Sequence, residues 1–162
     1  MTATVRPPWV VYAAAVVIAF ATAGIGGSLT ELGDWYQALR QPDWKPADRW
    51  FGPVWTTIFA LIAVAGARAW LTAPSAAARW RVTLVFATNL TLNVGWSALF
   101  FFIKRPDWSL LEVGFLWLSI VVMIAVCWPL SRLSSVLLTP YLAWVTFASV
   151  LNYSVVALNG PF

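Results

Sequence analysis

Residues 108–130 read WSLLEVGFLWLSIVVMIAVCWPL, a nearly unbroken apolar run in which Glu112 is the only charged residue. About 20 such residues, coiled as a helix, span the roughly 30 Å of hydrocarbon in a bilayer. Four other stretches share this length and character. Together the five predicted spans lie at about 9–29, 52–71, 82–103, 108–130 and 135–158. The sequence therefore predicts an all-α membrane protein, a bundle of five transmembrane helices.

The composition supports lipid as the solvent of this chain. Of its 162 residues, 61% are hydrophobic and 10% are charged, whereas soluble domains carry about 25% charged residues. The formal net charge is +4, but the basic residues stand singly or in pairs between the apolar stretches. Nucleic-acid binding needs a basic run or stripe and is therefore not expected.

Histidine is absent, and cysteine occurs once, as Cys127 within an apolar run. The side chain that most often serves as general base and metal ligand is thus missing. A single cysteine can form neither an internal disulfide nor a cysteine-built metal site. Hydrolases that depend on Ser–His pairs or on zinc are excluded, and no metal site is expected.

The connections between the predicted spans differ in length. The last three are short, at 72–81, 104–107 and 131–134, which favours antiparallel neighbours in one bundle. Residues 1–162 are therefore expected to form a single domain. The first connection, at about 30–51, is long and rich in charged and aromatic residues. Because aromatic content argues against disorder, we expect a long structured loop between the first and second helices.

The first span allows a second interpretation. Arg6, the apolar run from Trp9 and the small residues at 21–23 resemble a secretory signal peptide with its cleavage site. The apolar run continues to Leu29, however, and this length favours a retained helix.

The 10 Lys and Arg residues divide equally between the two sides of the bundle. The sequence therefore predicts neither the orientation nor the host membrane.

Twelve tryptophans distinguish the chain. Those near predicted helix ends suit an interfacial aromatic belt. A belt does not explain Trp96, Trp117 and Trp144, which lie well inside their spans. It explains only loosely a cluster in and after the first connection, where residues 35–59 read WYQALRQPDWKPADRWFGPVWTTIF.

That run resembles the loop-to-second-helix signature of the tryptophan-rich sensory protein/translocator protein (TspO) family, WYxxLxKPxWxPPxxxFxPVW. Residues 93–101 (NVGWSALFF) and 140–152 (PYLAWVTFASVLN) are similar to motifs of that family's third and fifth helices. With three motifs in the right order, the chain is identified as a member of the family. It departs from the pattern at Gln41, Ala47 and Phe59, where a basic residue, a proline and a tyrosine are common. The departures at Gln41 and Ala47 are expected to loosen the loop or change how it caps a ligand, and neither affects the residues assigned to the pocket.

The polar residues of the third and fifth spans independently favour an internal pocket. Asn89, Asn93 and Trp96 are spaced by four and three residues, so they share one face of a helix. A buried amide facing lipid would be costly, and this face should therefore point into the bundle. Four residues from Tyr141 to Asn152 recur at the same spacing in the fifth span. Apolar cavities with a few fixed polar groups are typical of small-ligand sites.

Together with the resemblance, these faces define the candidate ligand-binding residues. They are Tyr36, Trp44, Trp55, Phe59, Asn93, Trp96, Phe100, Trp144, Phe147 and Ala148. Some of them have a structural alternative. Asn93 is also explained as a hydrogen bond that only holds the bundle together, and Trp96 and Phe100 as packing.

The resemblance implies a membrane receptor, sensor or carrier that binds porphyrins, haem and sterol-like lipids in an aromatic pocket capped by loop 30–51. No cofactor is expected to be required, and porphyrin or haem would be a ligand. Because the chain has no histidine to ligate haem iron, metal-free porphyrin should bind about as well as haem.

Two further interpretations remain open. Members of the family have been proposed to degrade porphyrin in a light- and oxygen-dependent reaction, for which Trp55 and Trp144 would be the candidate catalytic residues; whether this chain is an enzyme is left undecided. Thr91-x-x-x-Gly95 is a pair of small residues that would let two third helices approach closely. A homodimer through the third helix is therefore a prediction.

Overall fold

The computed structural model describes residues 7–162, and the described chain is helical. Its long helices are α1 (Pro8–Leu29), α3 (Phe51–Thr72), α4 (Ala76–Ser97), α5 (Pro106–Cys127) and α6 (Arg132–Asn159), and α2 (Asp34–Ala38) is short. Each of the five long helices is long and apolar enough to cross a membrane, which confirms the predicted spans. Arg6, the basic residue of the signal-peptide-like pattern, lies outside the described residues.

Helix α4 begins at Ala76, six residues before the predicted start of the third span at 82. Ser75 caps it, because its hydroxyl accepts a hydrogen bond from the backbone N–H of Ala78 at 3.1 Å. The prediction placed the boundary at the arginines, Arg79 and Arg81. Their long side chains extend to the interface from within the first helical turns, so they do not end the helix.

The last connection is also displaced from its predicted position at 131–134. Helix α5 ends at Cys127, since Pro129 lacks the N–H that would continue the ladder. Ser131 then caps α6 by accepting a hydrogen bond from the N–H of Ser134. Helix α6 therefore starts three residues earlier than predicted.

Pro140 lies two turns inside α6, where its missing N–H leaves the carbonyl of Val136 without a helical partner. The hydroxyl of Thr139 donates to that carbonyl at 2.8 Å. The Thr–Pro pair therefore satisfies a backbone acceptor that would otherwise be exposed to hydrocarbon.

The core lies between α3, α5 and α6. Helix α5 contributes a stripe at spacings of three and four, consisting of Val113, Leu116, Ile120, Met123 and Cys127. Helix α3 meets its neighbours with small residues, among them the fully buried Ala65 and Ala69. Small side chains let membrane helices approach closely, and the gain is dispersion contact. Helix α1 is peripheral and buries only Ala19 and Gly26.

Helix α4 continues into a π-helical turn, Ala98–Phe102, in which the N–H of Ile103 bonds to the carbonyl of Ala98 at 2.8 Å. A π-turn inserts an extra residue and so rotates the side chains that follow. Phe100 and Phe101 are consequently both buried, although they are adjacent in sequence. The straight third helix that was predicted would have turned one of them outward.

Candidate functional site

A cavity of about 410 Å³ lies between α1, α3 and α4, at the end of the bundle where the first connection crosses. Aromatic side chains form most of its walls, and its rim is made by exposed residues with small side chains at the end of α1 and the start of α3. Its lining includes Ala23, Gly26, Gly27, Thr30, Leu32, Tyr36, Gln41, Asp48, Phe51, Gly52, Trp55, Thr56, Phe59, Asn93, Trp96, Ser97, Phe100, Phe101 and Leu151.

One wall is a stack of rings built on α4 and its π-turn. Trp96 stacks on Phe100 with ring centroids 5.3 Å apart, and Phe100 lies 4.7 Å from Phe101. The first connection packs on this wall, with Trp35 against Phe100 and Tyr36 against Phe101 at 6.2 and 5.8 Å. The π-turn thus supplies both a cavity wall and the surface on which the connection rests.

The roof contains a hydrogen-bonded cluster of Tyr36, Lys45 and Asp48. The Tyr36 hydroxyl donates to Asp48 Oδ1 at 2.9 Å, and Lys45 Nζ donates to the same oxygen and lies 5.2 Å from the centre of the Tyr36 ring. Burial raises the pKa of Tyr36. Burial alone would lower the pKa of Lys45, but its hydrogen bonds to Asp48 and Tyr36 outweigh this and leave the pKa raised. Both groups therefore stay protonated at neutral pH, and the cluster is charge-balanced between Lys45 and Asp48.

A second attachment holds the connection to the bundle. The Asn159 side chain, at the end of α6, accepts a hydrogen bond from the N–H of Arg40 and donates to its carbonyl, at 2.8 and 2.9 Å. The next residue is Gln41, whose amide nitrogen is buried in the cavity lining without a hydrogen-bond partner among the described residues. Gln41 was not among the candidate ligand-binding residues, and the structure places it in the cavity lining.

The floor of the cavity is polar at one point. Asn93 donates through its amide nitrogen to the Tyr141 hydroxyl, which donates in turn to Asn89 Oδ1, each at 3.2 Å. Asn89 completes the chain by donating to the Ser119 hydroxyl at 2.8 Å. Asn89 and Asn93 are buried, which confirms that their face of α4 points into the bundle. Asn93 therefore holds helices together and lines the cavity as well.

Trp96 is fixed in a comparable way. Its indole N–H donates to Asn152 Oδ1 at 3.1 Å, and the same oxygen accepts from the Ser109 hydroxyl at 2.8 Å. The Asn152 amide nitrogen donates to the carbonyl of Pro106 at 2.9 Å. One buried amide on α6 therefore joins α4 to the first turn of α5 and sets the plane of the Trp96 ring.

The structure brings six of the ten candidate residues into the cavity lining: Tyr36, Trp55, Phe59, Asn93, Trp96 and Phe100. The other four, Trp44, Trp144, Phe147 and Ala148, lie outside that lining. Phe51 and Trp55 separate them from it, since both line the cavity and lie 5.5 and 6.4 Å from the Trp144 ring. Trp144 stacks in turn on Phe147, on which Trp44 packs.

The sequence contains only weak signals for the lining residues that were missed. Gly26 and Gly27 are adjacent glycines near the end of α1, and a Cβ on Gly26 would approach Ser97 Oγ at 3.5 Å. Asp48 had no distinguishing feature until its bond to Tyr36 was seen. Gln41 had one, because it departs from the family pattern, and that departure was expected to affect only the loop and how it caps a ligand.

Known proteins resemble this chain over most of its length. The sequence profile of the TspO/MBR family matches residues 13–158. A protein named "Tryptophan-rich protein TspO" from Chlorobaculum tepidum is 37% identical over 131 residues, which cover 77% of this chain and 79% of that protein. The "Translocator protein" of Sus scrofa is 32% identical over 154 residues, covering 92% and 90%. A "Tryptophan-rich sensory protein" from Cereibacter sphaeroides is 32% identical over 134 residues, covering 82% of each chain.

Proposed function

Since this chain belongs to the TspO/MBR family and is an integral multi-pass membrane protein, we propose that it is a receptor or carrier that binds planar hydrophobic ligands in the α1–α3–α4 cavity. Porphyrins and haem are the first ligand class we propose, and sterol-like lipids the second. The connection at 30–51 forms the cap of the site. The names of related proteins, which refer to sensing and translocation, agree with this type of activity.

The observation that carries the proposal is the shape and chemistry of the cavity. Its volume of about 410 Å³ falls within the range of about 300–1,000 Å³ that is usual for small-molecule sites. Flat rings on two sides, Trp55 from α3 and Trp96 with Phe100 from α4, suit a flat ligand. Ring faces stack with little loss of conformational entropy, because a planar macrocycle and an indole are both rigid.

The polar groups of the lining indicate what the ligand carries. Gln41 presents a buried amide nitrogen with no acceptor among the described residues. An unpaired buried donor costs about 1–3 kcal/mol, which a ligand carbonyl or carboxylate would recover. The ligand is therefore proposed to combine an apolar planar body with an acceptor at the edge that faces the cap. Porphyrins with carboxylate side chains have this combination.

A metal is not needed for this mode of binding. The chain contains no histidine, and the described residues contain no cluster of three or more potential metal-ligating side chains. We therefore propose that ring stacking and the acceptor bond supply the affinity. Metal-free protoporphyrin should bind about as well as haem, which a titration of each against the purified protein measures.

The test compares Trp55→Ala with Trp80→Ala, a change of the same kind at an exposed position at the opposite end of the bundle. Loss of one stacking wall should cost about 1.5–2 kcal/mol and raise the Kd for protoporphyrin roughly ten- to thirtyfold, whereas Trp80→Ala should leave it unchanged. Titration is followed by the porphyrin absorption band. Equal Kd values for the two variants would place the porphyrin elsewhere.

A second pair of variants tests the acceptor bond. Gln41→Leu removes the donor at nearly constant volume, and Gln37→Leu removes an exposed amide of the same loop as control. We expect Gln41→Leu to weaken protoporphyrin binding. We also expect it to reduce the preference for protoporphyrin over its dimethyl ester, since the ester lacks the charged acceptor. If Gln41→Leu weakens acid and ester equally, the donor does not recognise the carboxylate.

One observation favours an enzymatic alternative. Trp55 lines the cavity and lies 6.4 Å from Trp144, with the two ring planes nearly perpendicular. We therefore propose that the light-dependent oxidation of a bound porphyrin by oxygen involves Trp55 directly. Trp144 would take part only through its contact with Trp55. Illumination with protoporphyrin should yield a new absorbing product that Trp55→Phe abolishes. Product formed equally by wild type and Trp55→Phe would remove this alternative.

The homodimer through α4 is also retained as a proposal. Thr91 is exposed and Gly95 is half-buried, so the small-residue pair lies at the bundle surface. Both oxygens of Glu112 on α5 are buried beside Gly95 without a partner among the described residues. Disulfide crosslinking of Gly95→Cys in a bilayer tests the contact, with Gly24→Cys on α1 as the control position.

A further inference from the structure

The seam between α1, α3 and α4 contains a second recess, a groove of about 510 Å³. It occupies residues 10–19 of α1, 62–70 of α3 and 82–90 of α4, whereas the cavity described above begins at Ala23, ends at Phe59 and resumes at Asn93 on the same helices. Because consecutive spans alternate in direction, α1 and α4 are parallel and α3 is antiparallel. The groove and the cavity therefore lie in opposite halves of the membrane.

Small residues shape the groove. Its floor is formed by Ala63, Gly66 and Ala67 of α3. Gly66 is required there, since a Cβ would lie 2.9 Å from Cε1 of Phe86. The walls include Ala14 of α1 and Ala87 of α4, both exposed. In a bilayer these exposed walls face hydrocarbon, so the groove is open sideways to lipid chains.

The lining offers almost no group that would hold a polar ligand. Thr83 contributes the one hydroxyl among the residues that line the groove, and it already donates to the carbonyl of Arg79 at 3.0 Å. An amphipathic small molecule would leave its polar atoms unpaired here, at a cost of about 1–3 kcal/mol each. A hydrocarbon chain has no such atoms.

The end of the groove that lies at the membrane surface is positively charged. Trp70 forms this end, and the Arg79 guanidinium lies 4.9 Å from the centre of its ring. The arginines at this end of the bundle are Arg68, Arg79, Arg81 and Arg132, and the six acidic residues of the chain all lie toward the opposite end. Among the described residues Arg79 forms no ion pair. Its charge is therefore available to an anion at headgroup depth.

We propose that this groove is a binding site for one phospholipid with an anionic headgroup. One acyl chain lies along Ala63, Gly66 and Ala67, and the phosphate lies beside Arg79. The lipid would cover an apolar recess beside α1, a helix that buries only Ala19 and Gly26. This site is separate from the proposed porphyrin site and does not depend on it.

The first test uses the unaltered protein. It is reconstituted in vesicles of phosphatidylglycerol and phosphatidylcholine in equal parts, with a trace of phosphatidylglycerol that carries a diazirine on one acyl chain. After illumination, we expect adducts to concentrate on Ala14, Ile18 and Ala87 over Val17 and Leu118, which are exposed but outside the groove. Uniform labelling of exposed positions would overturn the proposal, as would crosslinks to a second protein chain at the groove.

The second test fills the groove. Ala87→Phe and Ala14→Phe place a ring in it from opposite walls, and Ala13→Phe adds the same ring on the neighbouring exposed face of α1. In native mass spectrometry from mild detergent, wild type and Ala13→Phe should retain one phosphatidylglycerol, and both groove-filling variants should lose it. Retention by all four proteins would overturn the site. Circular dichroism verifies that each variant is folded.

Removing the charge of Arg79 tests the position of the anionic headgroup. Arg79→Gln should abolish the preference for phosphatidylglycerol over phosphatidylcholine while one lipid of either kind is still retained. Arg49→Gln is the matched control, because Arg49 also lies over a tryptophan ring, that of Trp50, but at the opposite end of the bundle. An unchanged preference in Arg79→Gln would overturn the assignment of the phosphate to this arginine.

Discussion

Asn152 allows the strongest test of how polar groups hold this bundle together and shape its cavity. Its side chain is buried and forms three interhelical hydrogen bonds, accepting from Trp96 and Ser109 and donating to the carbonyl of Pro106. Replacement by leucine keeps nearly the same volume and removes all three bonds. The perturbation is therefore to hydrogen bonding and not to packing.

The expected cost follows from the partners. Hydrogen bonds between membrane helices contribute about 0.6 kcal/mol each on average, so three bonds account for about 2 kcal/mol. Ser109 keeps its second acceptor, the carbonyl of Pro106. The Trp96 N–H does not, and a buried donor without a partner adds about 1–3 kcal/mol. We expect Asn152→Leu to lower the free energy of unfolding by about 3–5 kcal/mol.

The assay is reversible unfolding in mixed micelles with increasing dodecyl sulfate, followed by circular dichroism. Thr146→Val is the matched control. It removes another hydrogen bond between a tryptophan of one helix and a polar residue of α6, the 2.9 Å bond from Trp117 Nε1, but at the lipid-exposed surface. We expect that variant to lose less than about 1 kcal/mol.

Ligand binding separates a positioning effect from a stability effect. Asn152 does not line the cavity, but it fixes the plane of Trp96, which does. Asn152→Leu should therefore also weaken protoporphyrin binding under conditions in which the variant is fully folded. Thr146→Val should leave protoporphyrin binding unchanged. A free energy of unfolding within about 1 kcal/mol of wild type would refute the hydrogen-bond argument. Unaltered porphyrin affinity would refute the positioning of Trp96.

Three further predictions follow from local contacts. Gly66→Ala should destabilise the bundle by about 1–3 kcal/mol, because its Cβ would meet the Phe86 ring at 2.9 Å. Gly24→Ala, whose Cβ would have no atom within 4 Å, should stabilise α1 slightly. Unfolding in mixed micelles measures both effects. Ser75→Ala removes the cap of α4 and should cost about 1 kcal/mol, seen as faster amide exchange in its first turn. Tyr36 should titrate above the ordinary value of about 10 in a difference spectrum against Tyr36→Phe. Because its pKa is raised in the folded protein, its contribution to stability is complete below about pH 10 and is lost as the pH rises through the raised pKa.

The transmembrane helices were predictable because the signal for them is long. Twenty consecutive apolar residues have one stable form in a bilayer, and neighbouring features hardly alter it. Helix ends were less predictable, since they depend on single residues. Ser75 starts α4 before its arginines and Pro129 ends α5, and each effect is local and small compared with the insertion of a whole span.

The cavity was predictable only in part, for a geometric reason. Helical spacing correctly turned Asn89 and Asn93 inward, because periodicity determines which face of a helix is buried. It does not determine which helix lies nearer to the cavity. Trp144 faces inward as well, but Phe51 and Trp55 of α3 stand in front of it. The π-turn that buries Phe100 and Phe101 together also has no signature in the spacing of apolar residues.

The groove and the cavity lie on one seam, and a thin layer separates them. Ala19, Phe59 and Ile62 form that layer, and each is exposed by 3% or less. A carrier that moved its ligand along the seam would have to part α1 from α3 at this level. Helix α1 is the long helix with the fewest buried residues, Ala19 and Gly26, and is therefore the element we expect to move. A receptor needs no such movement, because the cavity is already formed with the layer closed. The choice between receptor and carrier therefore depends on whether α1 separates from α3 at Ala19 when ligand is bound.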